Sequence, residues 1–409
     1  MMGHSDGDVP APSPYEHTWR RNLAIVWVAC LLGAAAQTFT NPFMPLFLST
    51  ELGMTDPGEI AAWTGTIAFA MGASLFFAGP VWGAVADRYG RKLMLMRALA
   101  GGGIFTALLA VSGQAWHAAL FRFGFGTVTG ILPTSSAMIA AQTPRPHVGW
   151  ALGMLASAFA IGQALGPLSA GLAAPVIGLR AVFLLSGGVL LVALVVVAAA
   201  MHEPKRIVPR DHPSVLTQLR TLAPRNRREI LILLGVQAFL TMATQSSNPM
   251  VAVKMLQLAG RDAAAATGLA FTLFGIATAL AALFYSRPVR WIGYRGVVYL
   301  AMALIILCVI VLASSSAVPV MVATMGVFGF ASGSMQPALR SILGLASPAE
   351  LAGTMFGLNN SASPVGLGLG PFIAGAVAAT LGVSWAIAFT LIPLAIAAMT
   401  FRAVPEPNA

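Results

Sequence analysis

Acidic residues are scarce in this chain: 13 Asp and Glu occur in 409 residues, and charged residues of both signs make up only 9%. Soluble domains carry about 25% charged residues. Every carboxylate falls in a tail, in a loop or at the end of an apolar run. The apolar runs therefore contain no buried carboxylate of the kind that many proton-coupled membrane proteins use.

Cysteine is also scarce, and the motifs of catalysis are absent. Cys30 and Cys308 lie far apart in apolar segments, which argues against a disulfide framework and a metal site. The sequence has no phosphate-binding loop, no metal-ligand spacing and no nucleophile beside a base. We therefore predict a protein that is not an enzyme and has no cofactor and no metal. An ATP-driven pump would need a partner subunit to supply the ATPase.

Long apolar runs are abundant: 57% of the residues are hydrophobic and the mean hydropathy is +0.82. A membrane span needs about 20 apolar residues, so the length accommodates about twelve helices. The sequence predicts an all-α membrane protein embedded in the lipid bilayer. The expected helices are Asn22–Leu48, Ala61–Ala86, Leu93–Val111, Ala118–Gln142, Trp150–Ala173, Ala181–Met201, Ile230–Leu256, Ala263–Ser286, Val297–Ala313, Val318–Leu345, Gly353–Thr380 and Val383–Phe401.

Lys and Arg lie mostly on one side of these spans. With the N-terminus inside, 19 of the 23 fall in inner segments, and three (Arg180, Lys254 and Arg261) fall outside. Inner loops carry such an excess, so both termini and the central polar stretch are predicted to be cytoplasmic. This orientation explains the net charge of +10 better than nucleic-acid binding does. The first residues lack the basic start and apolar core of a secretory signal.

The two halves of the chain repeat one pattern at an offset of 204 residues. Gly162, Gly166, Pro167 and Gly171 correspond to Gly366, Gly370, Pro371 and Gly375. Parallel repeats of this kind predict two pseudo-symmetric six-helix halves. The expected domains are a disordered cytoplasmic tail (1–18), an N-terminal half (19–201), a cytoplasmic linker (202–228), a C-terminal half (229–402) and a short cytoplasmic tail (403–409).

A short charged turn separates the second and third predicted spans. It cannot lie in hydrocarbon, and its surplus of cations marks the cytoplasmic surface, where Gly90 permits a tight reversal. The turn resembles the loop between helices 2 and 3 of the major facilitator superfamily, which reads G-x-x-x-D-R-x-G-R-K/R. The matching residues are Gly83, Asp87, Arg88, Gly90, Arg91 and Lys92. The resemblance implies a conformational-switch loop; a generic positive loop is the alternative.

The repeated glycines of the fifth helix lie at i and i+4, a spacing that lets helices approach closely. The stretch resembles the G-x-x-x-G-P-x-x-G-G element of antiporters in the superfamily, except that Ala170 replaces one glycine. The alternative is ordinary packing between small residues.

Arg122 lies well inside a predicted span. A cation there is costly, so it is expected to face a cavity and to reach Asn41 or Gln37 on helix 1. The segment resembles the helix 4 motif of proton-coupled drug exporters; Gly126 fits that motif, but Phe125 stands where a glutamine is expected. Arg122 could instead extend its side chain to the outer surface.

Polar residues at matching depths of related helices predict a central cavity. The candidate substrate or coupling residues are Arg122, Gln37, Asn41, Gln245, Asn248, Gln336, Asn359 and Asn360. The stripe Phe39, Phe43 and Phe47 is more typical of a lipid or packing surface than of a ligand wall.

From Trp19 to Arg402 the chain resembles bacterial twelve-helix multidrug exporters, with matching stretches such as Gly149-Trp-Ala-Leu-Gly153. The resemblance implies a monomer in the bacterial inner membrane that exports small amphipathic compounds by alternating access, coupled to proton influx. A sugar or metabolite exporter, or a uniporter, of the same fold is the alternative among transporters. A non-transporting sensor or scaffold is the alternative from another class.

Overall fold

The computed structural model describes residues 18–201, 224–346 and 352–404, which are almost wholly helical. A helix satisfies its own backbone hydrogen bonds, as hydrocarbon surroundings require. The first half contains α1 (Trp19–Thr38), α2 (Thr40–Thr50), α3 (Pro57–Tyr89), α4 (Arg91–Leu108), α5 (Ala115–Val128), α6 (Ile131–Gln142) and α7 (Val148–Ala200). The second half contains α8 (Pro224–Ala259), α9 (Ala263–Phe284), α10 (Ser286–Ser314), α11 (Val318–Ala346), α12 (Ala352–Leu381), α13 (Val383–Ala388) and α14 (Leu391–Phe401).

Ten stretches of the described residues are long and apolar enough to cross a membrane. Two of them, Val148–Ala200 with 53 residues and Arg227–Phe284 with 58, are too long for one crossing. A 53-residue helix would extend about 80 Å, whereas the hydrocarbon core is about 30 Å thick. The first reverses at Gly178, where φ is +77°, and the second at the 3-10 turn Gly260–Asp262. The described chain therefore makes twelve crossings, which agrees with the sequence prediction.

The charged turn has the predicted tight reversal. Gly90, with φ +94°, is the single residue between α3 and α4. Arg91 Nη1 donates to the Ala137 carbonyl at 2.5 Å, and Lys92 Nζ donates to the Ala198 carbonyl at 2.8 Å. These bonds tie the turn to α6 and α7. The surroundings of Gly83 and the side chains of Asp87 and Arg88 lie outside what the structure describes.

We call the end of the bundle that holds this turn and the first residues of α1 and α8 the basic end, and the other end the opposite end. The start of α8 at Pro224 lies inside the range predicted for the linker, because helix geometry extends into its arginine-rich end. Residues 202–223 and the outer parts of both tails lie outside the described residues. The predicted domain boundaries otherwise stay a prediction.

The fourth predicted helix is wrong at its centre, because the chain breaks between α5 and α6 at Gly130, where φ is +137°. The break leaves carbonyl groups without helical partners. Trp82 Nε1 donates to the Thr127 carbonyl at 2.5 Å, and Arg97 Nη2 donates to the Thr129 carbonyl at 3.5 Å. Side chains from α3 and α4 thus satisfy the broken backbone, as buried polar groups require.

The predicted start of the ninth helix at Val297 lies four residues after Gly293, where φ is +70° and two helices of α10 meet, as two helices of α7 meet at Gly178. The difference from the prediction is the helix that begins at Ser286 and precedes this glycine, where the charged residues suggested a loop. The positive φ of this glycine turns the chain without an intervening loop.

A partly exposed polar cluster holds the first half together at the opposite end. Arg180 Nε pairs with Glu51 Oε2 at 3.1 Å, and the other Glu51 oxygen accepts the Leu179 N–H, also at 3.1 Å. Arg180 Nη1 donates to the Ala110 carbonyl at 2.5 Å. The pair therefore joins the end of α2, the residues after α4 and the second crossing of α7. Glu51 has a structural partner, which counts against its use as a proton carrier.

The second half has a related cluster with a different cation. Lys254 Nζ donates to the carbonyls of Leu312 at 2.9 Å and Ala313 at 2.6 Å, and to Ser384 Oγ at 3.2 Å. Ser384 stands 204 residues after Arg180, which is the offset of the repeat. In both halves a cation satisfies carbonyls that the end of a helix leaves without partners; Lys254 is buried, whereas Arg180 is partly exposed.

We expect Lys254→Met to lower stability, because it leaves the two carbonyls at the end of α10 unsatisfied. Losing such buried partners costs about 1–3 kcal/mol. The check is thermal unfolding of the purified protein in detergent. Arg261→Met is the matched control, because Arg261 is an exposed cation at the same end. Equal melting temperatures for the two variants would show that the Lys254 bonds contribute nothing.

Candidate functional site

A cavity of about 280 Å³ lies between the two halves. Four predicted amide side chains line it, Gln37 and Asn41 from the first crossing and Gln245 and Asn248 from α8. The apolar part of the wall comes from both halves: Pro42, Met44, Ile67, Met71, Phe159, Pro167, Pro249, Phe271, Phe274, Leu367 and Pro371. A mostly apolar wall with a few amides suits an amphipathic ligand better than a sugar.

Arg122 lies directly behind this wall. Its side chain is 1% exposed, and its Nη2 donates to Asn41 Oδ1 at 2.6 Å and to Met71 Sδ at 2.7 Å. The contact with Asn41 is the one that the sequence predicts, and extension to the surface is excluded. Asn41 and Met71 line the cavity whereas Arg122 does not, so the guanidinium acts on the cavity through one layer of side chains.

The charge of Arg122 has no counter-ion among the described residues. Its Nη1 is buried without a hydrogen-bond partner. The guanidinium carbon lies 4.9 Å from the centroid of the Phe125 ring. The phenylalanine that replaces the expected glutamine therefore gives the cation an aromatic face instead of an amide. Gly126 lets α5 approach α3, because a Cβ there would meet the Met71 carbonyl at 2.6 Å.

The repeated glycines pack each half internally in the same way. Gly162 and Gly166 lie against the backbone of α1, at the carbonyls of Leu31 and Ala35. Gly366 and Gly370 lie against α8, where Met242 contacts both. A Cβ at any of these four glycines would overlap the neighbouring backbone. The close packing that the spacing predicts is present; the antiporter role of the motif stays a prediction.

The last glycine of each repeat contacts the other half. A Cβ on Gly171 would lie 2.7 Å from the Cα of Gly268 in α9, and a Cβ on Gly375 would lie 2.6 Å from the Ala61 carbonyl in α3. The rings of Phe69 and Phe372 add a contact at 5.0 Å. These contacts lie between the cavity and the opposite end, so the two halves are closed there. Pro167 and Pro371 line the cavity beside them.

Near the basic end, several described glycines of the first half face open space. A Cβ built on Gly79, Gly149 or Gly153 meets no heavy atom within 4 Å. The same is true of Gly53, Gly113 and Gly382 near the opposite end. These glycines therefore do not distinguish the two ends, and closure of the opposite end rests on the contacts of Gly171 and Gly375.

Two predicted site residues, Arg122 and Gln336, do not line this cavity in the part of the chain that the structure describes. Gln336 accepts a hydrogen bond from Gln237 Nε2 at 3.1 Å, and the same nitrogen lies 3.3 Å from Ser363 Oγ. These residues form a separate polar cluster between α8, α11 and α12. The side chains of Asn359 and Asn360 lie outside those described.

Sequence reasoning left one amide of the wall out of the site. Gln163 lines the cavity from α7. Gln163 stands next to Gly162, and the sequence analysis interpreted this stretch only as a helix-packing motif. Its position one residue after an inward-packed glycine was the available signal. The stripe Phe39, Phe43 and Phe47 is buried and packs on Phe183, not on the cavity, so it is a packing surface.

The profile of the Major Facilitator Superfamily matches residues 26–253 and 233–409. The chain belongs to the major facilitator superfamily. It is thus a membrane transporter of small molecules, with the all-helical fold of that family. The multidrug resistance protein MdtG of Salmonella dublin is 31% identical over 378 residues, covering 91% of this chain and 92% of its own length. MdtG of Salmonella paratyphi C is 30% identical over the same lengths.

Solved structures of other transporters have the same fold. A variant of the nucleoside transporter NupG superposes with a TM-score of 0.79 at 12% identity, covering 94% of this chain and 99% of its own. A bacterial homologue of the human lysosomal transporter Spinster, inward-facing and unoccupied, superposes with a TM-score of 0.77 at 16% identity, covering 95% and 97%. These identities establish the shared fold of the superfamily and no more.

Proposed function

We propose that this transporter exports small amphipathic compounds from the bacterial cytoplasm by alternating access, coupled to proton influx. The observation that carries the proposal is the central cavity, whose wall is mostly apolar and holds a few amide groups. The relatives named multidrug resistance proteins support it. With the basic end in the cytoplasm, as the excess of cations there favours, contacts that close the opposite end support uptake of a compound from inside.

The charge behind the wall favours particular substrates. Arg122 lies one side chain from the cavity and has no described counter-ion. A second cation at ~6 Å would be repelled by a few kcal/mol at an effective dielectric constant of about 20. We therefore propose a preference for neutral or anionic amphiphiles over lipophilic cations.

Proton coupling is part of the proposal and has few possible carriers. Glu51 is paired with Arg180 at the opposite end. Asp87, at the basic end, is the carboxylate of the conformational-switch loop, and we propose that it senses closure of that end. Its expected partner, the first turn of the eleventh crossing near Gly353 and Thr354, lies outside the described side chains.

We expect Asp87→Asn to keep normal expression but to lower transport strongly, because the charge that stabilises closure of the basic end is lost. Export of a fluorescent amphiphile from cells, normalised to protein in the membrane, measures this. Asp262→Asn, at the exposed opposite end, is the matched control. Normal export by Asp87→Asn would remove the switch role from this residue.

Accumulation of amphiphiles in cells tests the proposed function as a whole. Cells that express the chain are expected to retain less of a neutral or anionic amphiphile than cells with an empty vector, and to show a smaller effect on a lipophilic cation. Equal accumulation of every compound would contradict export. Accumulation above the vector level would indicate import.

A further inference from the structure

A second cavity lies on the outside of the bundle, at the basic end, between α1 and the start of α7. It is a groove of about 800 Å³ whose deeper walls are Leu23, Ala24, Trp27, Val28, Trp150 and Met154. It shares no residue with the central cavity. Val28 is 46% exposed and Trp150 58%, so the groove is open to the surroundings of the protein.

The mouth of this groove is basic. Arg20 is exposed, and its guanidinium carbon lies 5.3 Å from the centroid of the Trp19 ring. Trp19 stacks on His147 with centroids 5.5 Å apart. Deeper in the groove the polar atom of Trp27, Nε1, donates to Ser157 Oγ at 3.3 Å. The groove thus has cationic chemistry at one end and only apolar surface beyond it.

The dimensions of the groove match one leaflet of a membrane. Arg20 and Val28 are eight residues apart on α1, which is about 12 Å of helix at 1.5 Å per residue. Half of a hydrocarbon core is about 15 Å. Tryptophans such as Trp19 and Trp150 are typical of the boundary between headgroups and acyl chains. In a bilayer an apolar groove at this depth is filled by an acyl chain, and a basic mouth at headgroup level selects an anionic head.

The second half repeats the arrangement. Arg227 and Arg228 stand 207 residues after Arg20 and Arg21, the offset that also relates Asn248 to Asn41. They border a groove of about 560 Å³ along α8. At Gly235, which lies in this groove, an added Cβ would meet open space. The apolar residues differ between the two grooves, and arginine borders both: Arg20 in the first, and Arg227 and Arg228 in the second.

We propose that each groove binds an anionic phospholipid of the cytoplasmic leaflet. The phosphate lies at Arg20 beside His147 in the first groove and at Arg227 and Arg228 in the second, and one acyl chain fills the apolar part. This proposal goes beyond the proposed function and rests on one part of it, the orientation that places the basic end in the cytoplasm. Bound lipid at the first crossing of each half holds that helix against its neighbour on the cytoplasmic side.

Native mass spectrometry of the purified full-length protein tests this, with phosphatidylglycerol and phosphatidylcholine of identical acyl chains. The expected result is two retained phosphatidylglycerol molecules in preference to phosphatidylcholine. Arg20→Gln is expected to lower the preference at one site about fivefold, and the double variant Arg227→Gln with Arg228→Gln is expected to lower it at the other. Ala24→Trp fills the first groove without changing charge and is expected to remove one lipid.

Arg290→Gln is the matched control. Arg290 is an exposed cation in α10, three residues before Gly293, and borders neither groove. Equal retention of the two lipids would overturn the proposal. So would a loss in Arg290→Gln as large as that in Arg20→Gln, which would indicate attraction to net charge alone. Retained lipid in Ala24→Trp would show that the groove does not hold the chain. None of these readouts depends on transport, so failure here leaves the proposed export untouched.

Discussion

Arg122→Ala is expected to reduce export to the level of cells without the protein. The guanidinium is buried behind the cavity wall and is hydrogen-bonded to Asn41 and Met71. Removing it leaves the Asn41 side chain without its donor and opens a gap beside Phe125. A lost buried partner of this kind costs about 1–3 kcal/mol, and the cavity loses the charge that we propose selects its substrates. Export of an anionic amphiphile from cells measures the effect.

Two further variants separate the charge from folding. Arg122→Lys keeps a cation but not the planar fork that reaches both partners, so we expect partial export. Met71→Leu removes the sulfur contact at nearly constant volume, and we expect export close to that of the wild type. Each variant must elute as a single folded species, and export is normalised to the protein in the membrane, because Arg122→Ala is expected to melt at a lower temperature. Wild-type export by Arg122→Ala under those conditions would exclude Arg122 from the mechanism.

Gly171→Leu is expected to open the opposite end. A Cβ at this position would lie 2.7 Å from the Cα of Gly268 in the other half, so the halves cannot close there without overlap. Overpacking costs about 1–3 kcal/mol, which shifts an equilibrium between two conformations by roughly 5- to 150-fold. We expect loss of transport together with a cavity that is accessible from outside the cell.

Labelling of a cavity cysteine measures this opening. Gln245→Cys lines the cavity, and the native Cys30 and Cys308 are buried, so a membrane-impermeant thiol reagent applied outside reports on the introduced cysteine. Labelling is expected to rise with Gly171→Leu and with Gly268→Leu on the facing helix. It should stay low with Gly188→Leu, because a Cβ at Gly188 meets no heavy atom within 4 Å. Low labelling in all three would contradict a contact that closes the opposite end.

Much of the fold could be predicted from the sequence because hydropathy and loop charge act locally. Twelve apolar runs and the tight turn at Gly90 follow from single segments or from a repeat with a fixed offset. The contact between Arg122 and Asn41 was predicted because a cation inside a span needs a polar partner. The break at Gly130 was missed although it has a local cause: the glycine has φ +137°, and Pro133 has no N–H for the Thr129 carbonyl. Trp82 and Arg97 from other helices satisfy the exposed carbonyls, and nothing in the local sequence shows those partners.

The composition of the site was harder to predict than its location. Amides on the first crossing and on α8 signalled a cavity, and they line it. Gln336 carried the same signal but bonds to Gln237 in a separate cluster, because the direction of a side chain around a helix decides which side it faces. Lys254 was counted among the outer cations, near the end of the predicted helix Ile230–Leu256, and is instead buried on helix-end carbonyls. Burial of a cation near a helix end depends on neighbours that are distant in sequence.

Proteoliposomes that contain the purified protein and an internal pH dye test the central claim most directly. An anionic amphiphile is added outside while its uptake and the internal pH are followed together. Exchange of substrate for protons predicts that substrate enters as protons leave, so the internal pH rises, and that Arg122→Ala abolishes both signals. Substrate uptake with no change in internal pH would contradict proton-coupled export and identify the protein as a uniporter.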